Sequence, residues 1–209
     1  MFTGFPIGDI VTILICLIVA ITIHEFMHAY VGYKLGDDTA LVHGRLSFNP
    51  LNHIDPLMTI ALPAITLLLF QFPFLAAKPV PFDPRNVRYG EYGAALLAAA
   101  GPLSNLALAF LSALALRYIE LGPAVGHVVL FFAQLNVALF IFNLIPIPPL
   151  DGSRVLYAFA PEALQNIMRQ IEPIGFFIIF GLVLWGGAGG FLARLNEMVL
   201  HWLPLPFPL

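Results

Sequence analysis

Charge is what this sequence has least of. Lysine, arginine, aspartate and glutamate together make up 10% of its 209 residues, against roughly 25% in ordinary soluble domains. Apolar residues reach 60% and the mean hydropathy is +0.91, which excludes a water-soluble globule and makes a lipid bilayer the solvent. The nine Lys and Arg are scattered and the net charge is −3; without a basic cluster to grip phosphates, nucleic acid is excluded as a partner. Cys16 is the only cysteine, so no intrachain disulfide forms. Long polar stretches are missing too, and residues 1–209 read as a single membrane domain. No internal repeat is visible, which argues against a transporter built from duplicated halves. The first apolar run has no Lys or Arg before it and no small-residue cleavage site after it, so it reads as a retained span and not a signal peptide.

What is present is five apolar stretches, Ile10–Tyr33, Ile54–Ala77, Tyr92–Tyr118, Val125–Asn143 and Ile174–Leu200. Each is near the ~20 residues needed to cross ~30 Å of hydrocarbon. The last is interrupted by "GGAGG", which divides it into a span and a second short helix. Between them lie "GYKLGDDTALVHGRLSFNPLNHIDP", "KPVPFDPRNVRYGE" and "LIPIPPLDGSR", rich in the residues that make turns and extended backbone. Residues 161–172 read as a separate interfacial helix opened by Pro161, and the tail "PLPFPL" as extended chain. The expected fold is all-α and polytopic, with four to six membrane-embedded segments and a re-entrant or broken-helix element.

Chemistry concentrates at the end of the first stretch, in "ITIHEFMHAY". His24 and His28 are four residues apart and share one face of a helix. Glu25 is beside them. This is the H-E-x-x-H arrangement, in which two histidines hold zinc and the glutamate acts as general base. An ionisable group inside a membrane helix is costly and is functional by default. Catalytic zinc needs a third protein ligand and an open position, and His43, His53, Asp55, His127, Asp151 and His201 are the candidates. Asp151 stands out by its setting, "NLIPIPPLDGSRV", where three prolines forbid regular helix as an apolar stretch ends. Free backbone groups at that depth are tolerable only when buried in protein or lining a watered cavity.

Together, "HEFMH", "AGPLSN" at 100–105 and "NLIPIPPLDG" at 143–152 resemble the site-2 protease family of intramembrane zinc metalloproteases, in its compact branch without PDZ or CBS domains. The resemblance covers roughly residues 15–175. It implies His24, His28 and Asp151 as ligands of one Zn2+ and Glu25 as general base. It also implies a membrane-protein substrate whose scissile stretch is unwound, in the cytoplasmic membrane of a prokaryote. Asn143 is placed to orient that substrate or to cap its own helix. Asn105 is placed to contact substrate or to bond across a helix interface where Gly101 lets two helices approach. His53 and Asp55 are expected to orient ligands or to order their loop. A zinc-binding scaffold without activity and a zinc or proton transporter are the rival readings; the oligomeric state is not legible.

The metal hypothesis carries a topological condition, because His24 and Asp151 must lie at one depth. If every apolar stretch crosses, Asp151 arrives on the wrong side. If Ile54–Ala77 dips in and returns, helped by Pro63 and Pro73, the two meet. The basic residues then divide seven against two instead of five against four, with Lys34, Arg45, Lys78, Arg85, Arg88, Arg154 and Arg169 on the side of the site. By the positive-inside rule that side is the cytoplasm.

Overall fold

The computed structural model describes residues 7–53, 80–184 and 187–206. The stretch Ile54–Ala77, and with it Asp55 and the re-entrant expectation, lies outside the described residues. Those described form α1 (Ile7–Lys34), a single turn α2 (Thr39–Val42), a 3-10 turn at Pro50–Asn52, then α3 (Glu91–Tyr118), α4 (Pro123–Asn143), α5 (Asp151–Phe159), α6 (Glu162–Leu184) and α7 (Gly187–Trp202). No strand occurs among them. Among the described residues, three helices are long and apolar enough to cross a membrane: Val11–Lys34, Glu91–Tyr118 and Pro123–Asn143. They coincide with the first, third and fourth apolar stretches.

The packing is that of a protein dissolved in lipid. α3 is the hub, touching α1, α4 and α5. Among its buried positions, Ala94, Ala98, Gly101, Asn105, Ala109 and Ala113 recur every three or four residues, so these share one face on which neighbouring backbones come close. Four of its large side chains, Leu96, Leu103, Phe110 and Leu111, point outward, while Leu97 is buried. α1 repeats the pattern, with Cys16, Ala20 and Ala29 buried and Ile15, Ile18 and Val19 exposed. Between helices that already sit in hydrocarbon, close van der Waals contact does the work that the hydrophobic effect does in water.

α1 and α3 run antiparallel, since Ala20 meets Asn105 while Gly32 meets Leu97. Where α1 ends, the Leu35 carbonyl accepts from the Arg88 amide at 2.9 Å, and the Asp37 carboxylate accepts from the Asp83 amide at 2.9 Å. Residues 35–37 and 83–88 are thereby pinned together at one end of the bundle. α4 returns to that end, where it stops at Asn143; the chain passes irregularly through Ile145–Leu150, and α5 begins at Asp151. Gly152 makes this possible, because a Cβ there would strike the carbonyls of Leu144 and Ile145.

Two features differ from the expectation. The chain forms a nine-residue helix, α5, directly after the prolines, where only irregular backbone was expected. Residues 161–172 are not a separate interfacial helix either. α6 continues through Pro173 to Leu184. A proline deletes one helical donor, and helix-forming sequence on both sides carries the helix across. α6 also leans on the proline-rich break, with Gly175 so close to the Pro148 carbonyl that a Cβ would collide with it. Beyond α7 the chain leaves helical geometry as expected, and Leu203 and Leu205 pack on Ala109, Ala113, Val137, Ile141 and Leu200.

Candidate metal centre

The structure brings His24, His28 and Asp151 to one point. Nε2 of His24 and Nε2 of His28 are 3.0 Å apart, and Oδ2 of Asp151 lies 3.2 Å from the first and 3.3 Å from the second. The two imidazoles stand edge to face at an interplanar angle of 82°. Both histidines are buried and Asp151 is partly so. Asp151 opens α5, where the exposed backbone amides of a helix N-terminus favour a negative charge.

Nδ1 of His28 is 2.8 Å from the Leu97 carbonyl. A carbonyl only accepts, so this nitrogen carries the proton and Nε2 presents a bare lone pair. Pro102 interrupts the ladder of α3 beside that turn, since Ala98, next to Leu97, loses its helical donor. Nδ1 of His24 is 2.6 Å from Oδ1 of Asn105 and is protonated in the same way. With both imidazoles neutral, two nitrogen lone pairs and a carboxylate oxygen thus converge, an arrangement that a cation resolves. Ligands of a tetrahedral zinc at about 2.0–2.1 Å are spaced roughly 3.3 Å apart, close to the separations seen here. Gly101 supplies the space: a Cβ at this position would fall against both Nε2 atoms. Donor type, spacing and cradle all fit zinc.

Glu25 is 7% exposed and lies within electrostatic reach of His28, His24, Asp151 and His53. His53 sits in a loop knitted by its own polar groups. Its Nε2 donates to the Ser47 carbonyl at 2.8 Å, the Arg45 guanidinium donates to the Asn52 carbonyl at 2.5 Å, and the Asn49 side chain accepts from the Leu51 amide. Nδ1 of His53 is buried without a partner among the described residues. Asn143 donates to the Leu139 carbonyl of its own helix at 3.0 Å. His43 binds the Thr39 carbonyl, and His127, at the start of α4, and His201, at the end of α7, are not among the three groups that converge. Sequence reasoning passed over Asn136, fully buried on α4 and bonded to Asn105 at 2.8 Å. The signal available was a lone amide inside an apolar span, which is rarely left unpaired.

These features can be set beside known proteins. A relative from Bacillus subtilis named "Putative zinc metalloprotease YwhC" is 39% identical over 193 residues, covering 87% of this chain and 84% of its own. The chain belongs to peptidase family M50. The family model itself matches residues 118–185, the stretch from the end of α3 through α6 that carries the broken backbone and Asp151. Two further relatives carry the same description, putative zinc metalloprotease: Rip2 of Mycobacterium tuberculosis, 30% identical over 85% of this chain and 68% of its own, and MJ0611 of Methanocaldococcus jannaschii, 31% identical over 73% and 74%. No solved structure matches the chain.

Proposed function

We propose that this M50 protein is a zinc-dependent endopeptidase that hydrolyses a peptide bond in an unwound stretch of a transmembrane substrate. The observation that carries the reading is the convergence of His24, His28 and Asp151 beside Glu25, where the proline-rich break after α4 leads into α5. When bound there, zinc supplies Lewis acidity toward a water and toward the scissile carbonyl. Glu25 takes the proton of the attacking water and returns it to the leaving amine, so that one water is consumed and a carboxylate and an amine are released. Leu97 and Asn105 hold the two imidazoles in place from behind. The three amides of the irregular stretch Ile145–Leu150 are bonded within the segment or to the end of α4, and the carbonyls of its prolines can accept from an extended substrate strand. Asn143, which caps its own helix here, stands where it can turn to that strand.

The seven-to-two division of basic residues, which assumes a re-entrant Ile54–Ala77, supports a site on the cytoplasmic face, and the resemblance to the compact branch supports a prokaryotic membrane. The test is cleavage of a model transmembrane substrate in zinc-loaded vesicles by wild type and Glu25→Gln. Cleavage by wild type alone, with zinc retained by both, supports the reading. Equal cleavage, or none by either with zinc bound, overturns it.

A further inference from the structure

Behind His24 a chain of amides crosses the bundle. Nδ1 of His24 meets Oδ1 of Asn105 at 2.6 Å, Nδ2 of Asn105 donates to Oδ1 of Asn136 at 2.8 Å, and Nδ2 of Asn136 donates to the Phe132 carbonyl at 2.8 Å. Asn105 and Asn136 are both 0% exposed. The links come from three helices: α1 gives His24, α3 gives Asn105, and α4 gives Asn136 and Phe132. An amide side chain can be turned either way round, and each of these two could in isolation offer oxygen or nitrogen to its neighbour. The far end removes the choice. A carbonyl has no hydrogen to give, so Asn136 must turn its NH2 toward Phe132 and its oxygen toward Asn105. Asn105 must then turn its NH2 to Asn136 and its oxygen to His24. His24 is left with Nδ1 as the donor and Nε2 as the bare lone pair. The second amide hydrogen of Asn105 reaches the Ala20 carbonyl only at 3.5 Å, the limit of a hydrogen bond.

We infer that Asn136 is a positioning residue for the metal centre: acting through Asn105, it fixes the tautomer and ring orientation of His24. The inference rests on the metal site of the proposed protease, and not on cleavage itself. Asn136 touches no ligand atom of that site, and the ordinary role for such a pair is to hold helices together by an interhelical hydrogen bond. The two roles differ in what they predict. A pure brace affects stability alone. A polarity lock affects the proton on His24 and the affinity for metal, since partners behind a liganding histidine typically change metal affinity by about 10–100-fold.

The test uses the full chain in detergent micelles. In metal-free wild type labelled with 13C and 15N at histidine, imidazole NMR at mildly alkaline pH is expected to show His24, assigned by its loss in His24→Gln, as the Nδ1–H tautomer. The Nε2–H tautomer there would overturn the inference whatever the variants do. In Asn136→Leu the His24 signal is expected to become a mixture of tautomers. Zinc affinity, read by competition with a chromophoric chelator, is expected to fall about 10–100-fold. Asn136→Thr keeps a hydroxyl that can donate to the Phe132 carbonyl one turn back and accept from Asn105, and it should recover much of that loss. Unchanged affinity and tautomer in Asn136→Leu, or equal losses in Leu and Thr variants, would show a brace only. If the affinities follow the expected order but wild type cuts no transmembrane substrate, the positioning role stands and the protease reading fails.

Discussion

A methyl group on Gly101 would stand 2.6 Å from Nε2 of His24. Glycine is therefore needed on α3 where that helix faces the two histidines, and the need concerns room for an ion more than backbone freedom. Gly101→Ala keeps the helical propensity of α3, or improves it, while filling the cradle. Zinc affinity is expected to fall by about 100-fold or more, with helical content unchanged by circular dichroism. Tight zinc binding by the alanine variant would show that the ion sits elsewhere.

Asp151 joins α5 to the two histidines of α1, so a metal bound there ties together elements that are distant in the chain. A ligand present at a hundredfold excess over its Kd raises stability by about 2.7 kcal/mol. Zinc is expected to raise the unfolding temperature of wild type, and chelation to reverse the rise. Asp151→Ala should show neither change. Thermal unfolding in detergent with and without zinc measures this directly.

Asp37 predicts an acid limit to stability. Burial alone would push its carboxyl up, but the Thr39 hydroxyl, the amides of Asp83 and Thr39, and the Asn86 side chain outweigh that and hold it below the usual carboxylate range. The folded value is thus lower than the unfolded one, so the unfolded chain binds the proton more readily. The stabilisation is complete above about pH 4 and is lost as pH falls through the folded value. Asp37→Ala is expected to cost about 3 kcal/mol near neutrality, and the gap between variant and wild type should close in acid. A gap that stays constant from pH 6 to about pH 2 would assign the effect to packing.

The pinning of residues 35–37 to 83–88 carries a prediction about sidedness. Single cysteines at Pro50→Cys and Val80→Cys, in a Cys16→Ala background, are expected to react with a membrane-impermeant thiol reagent from the same side. Reaction from opposite sides would contradict the meeting of these two segments at one end of the bundle.

How much of this was legible beforehand depended on whether the signal was local. His24, Glu25 and His28 are readable because one helical turn of sequence places all three, and a charge in an apolar run calls for a reason. Asp151 was readable through its three closely spaced prolines, which together forbid regular helix there, and through the family resemblance. α5 was not anticipated: the prolines draw attention to the break, while the helix begins only at the aspartate that follows them. Asn136 was unreadable as part of the site, because its meaning comes from Asn105 and Phe132 and only the packing of α3 on α4 brings them together. The fusion of 161–172 with the following span also escaped notice. Pro173 looks like a boundary in sequence, but helix-forming sequence on both sides carries α6 across it.

The small-residue face of α3 turns the usual rule of mutational tolerance inside out. In a water-soluble protein the bulky apolar side chains are the ones that resist change, and alanines are replaceable. Here Leu103 and Phe110 look into a solvent that accepts almost any greasy substitute, while Ala98 and Ala109 sit where one added methylene would wedge two helices apart. The positions with the least chemistry in their side chains are the ones this bundle can least afford to enlarge.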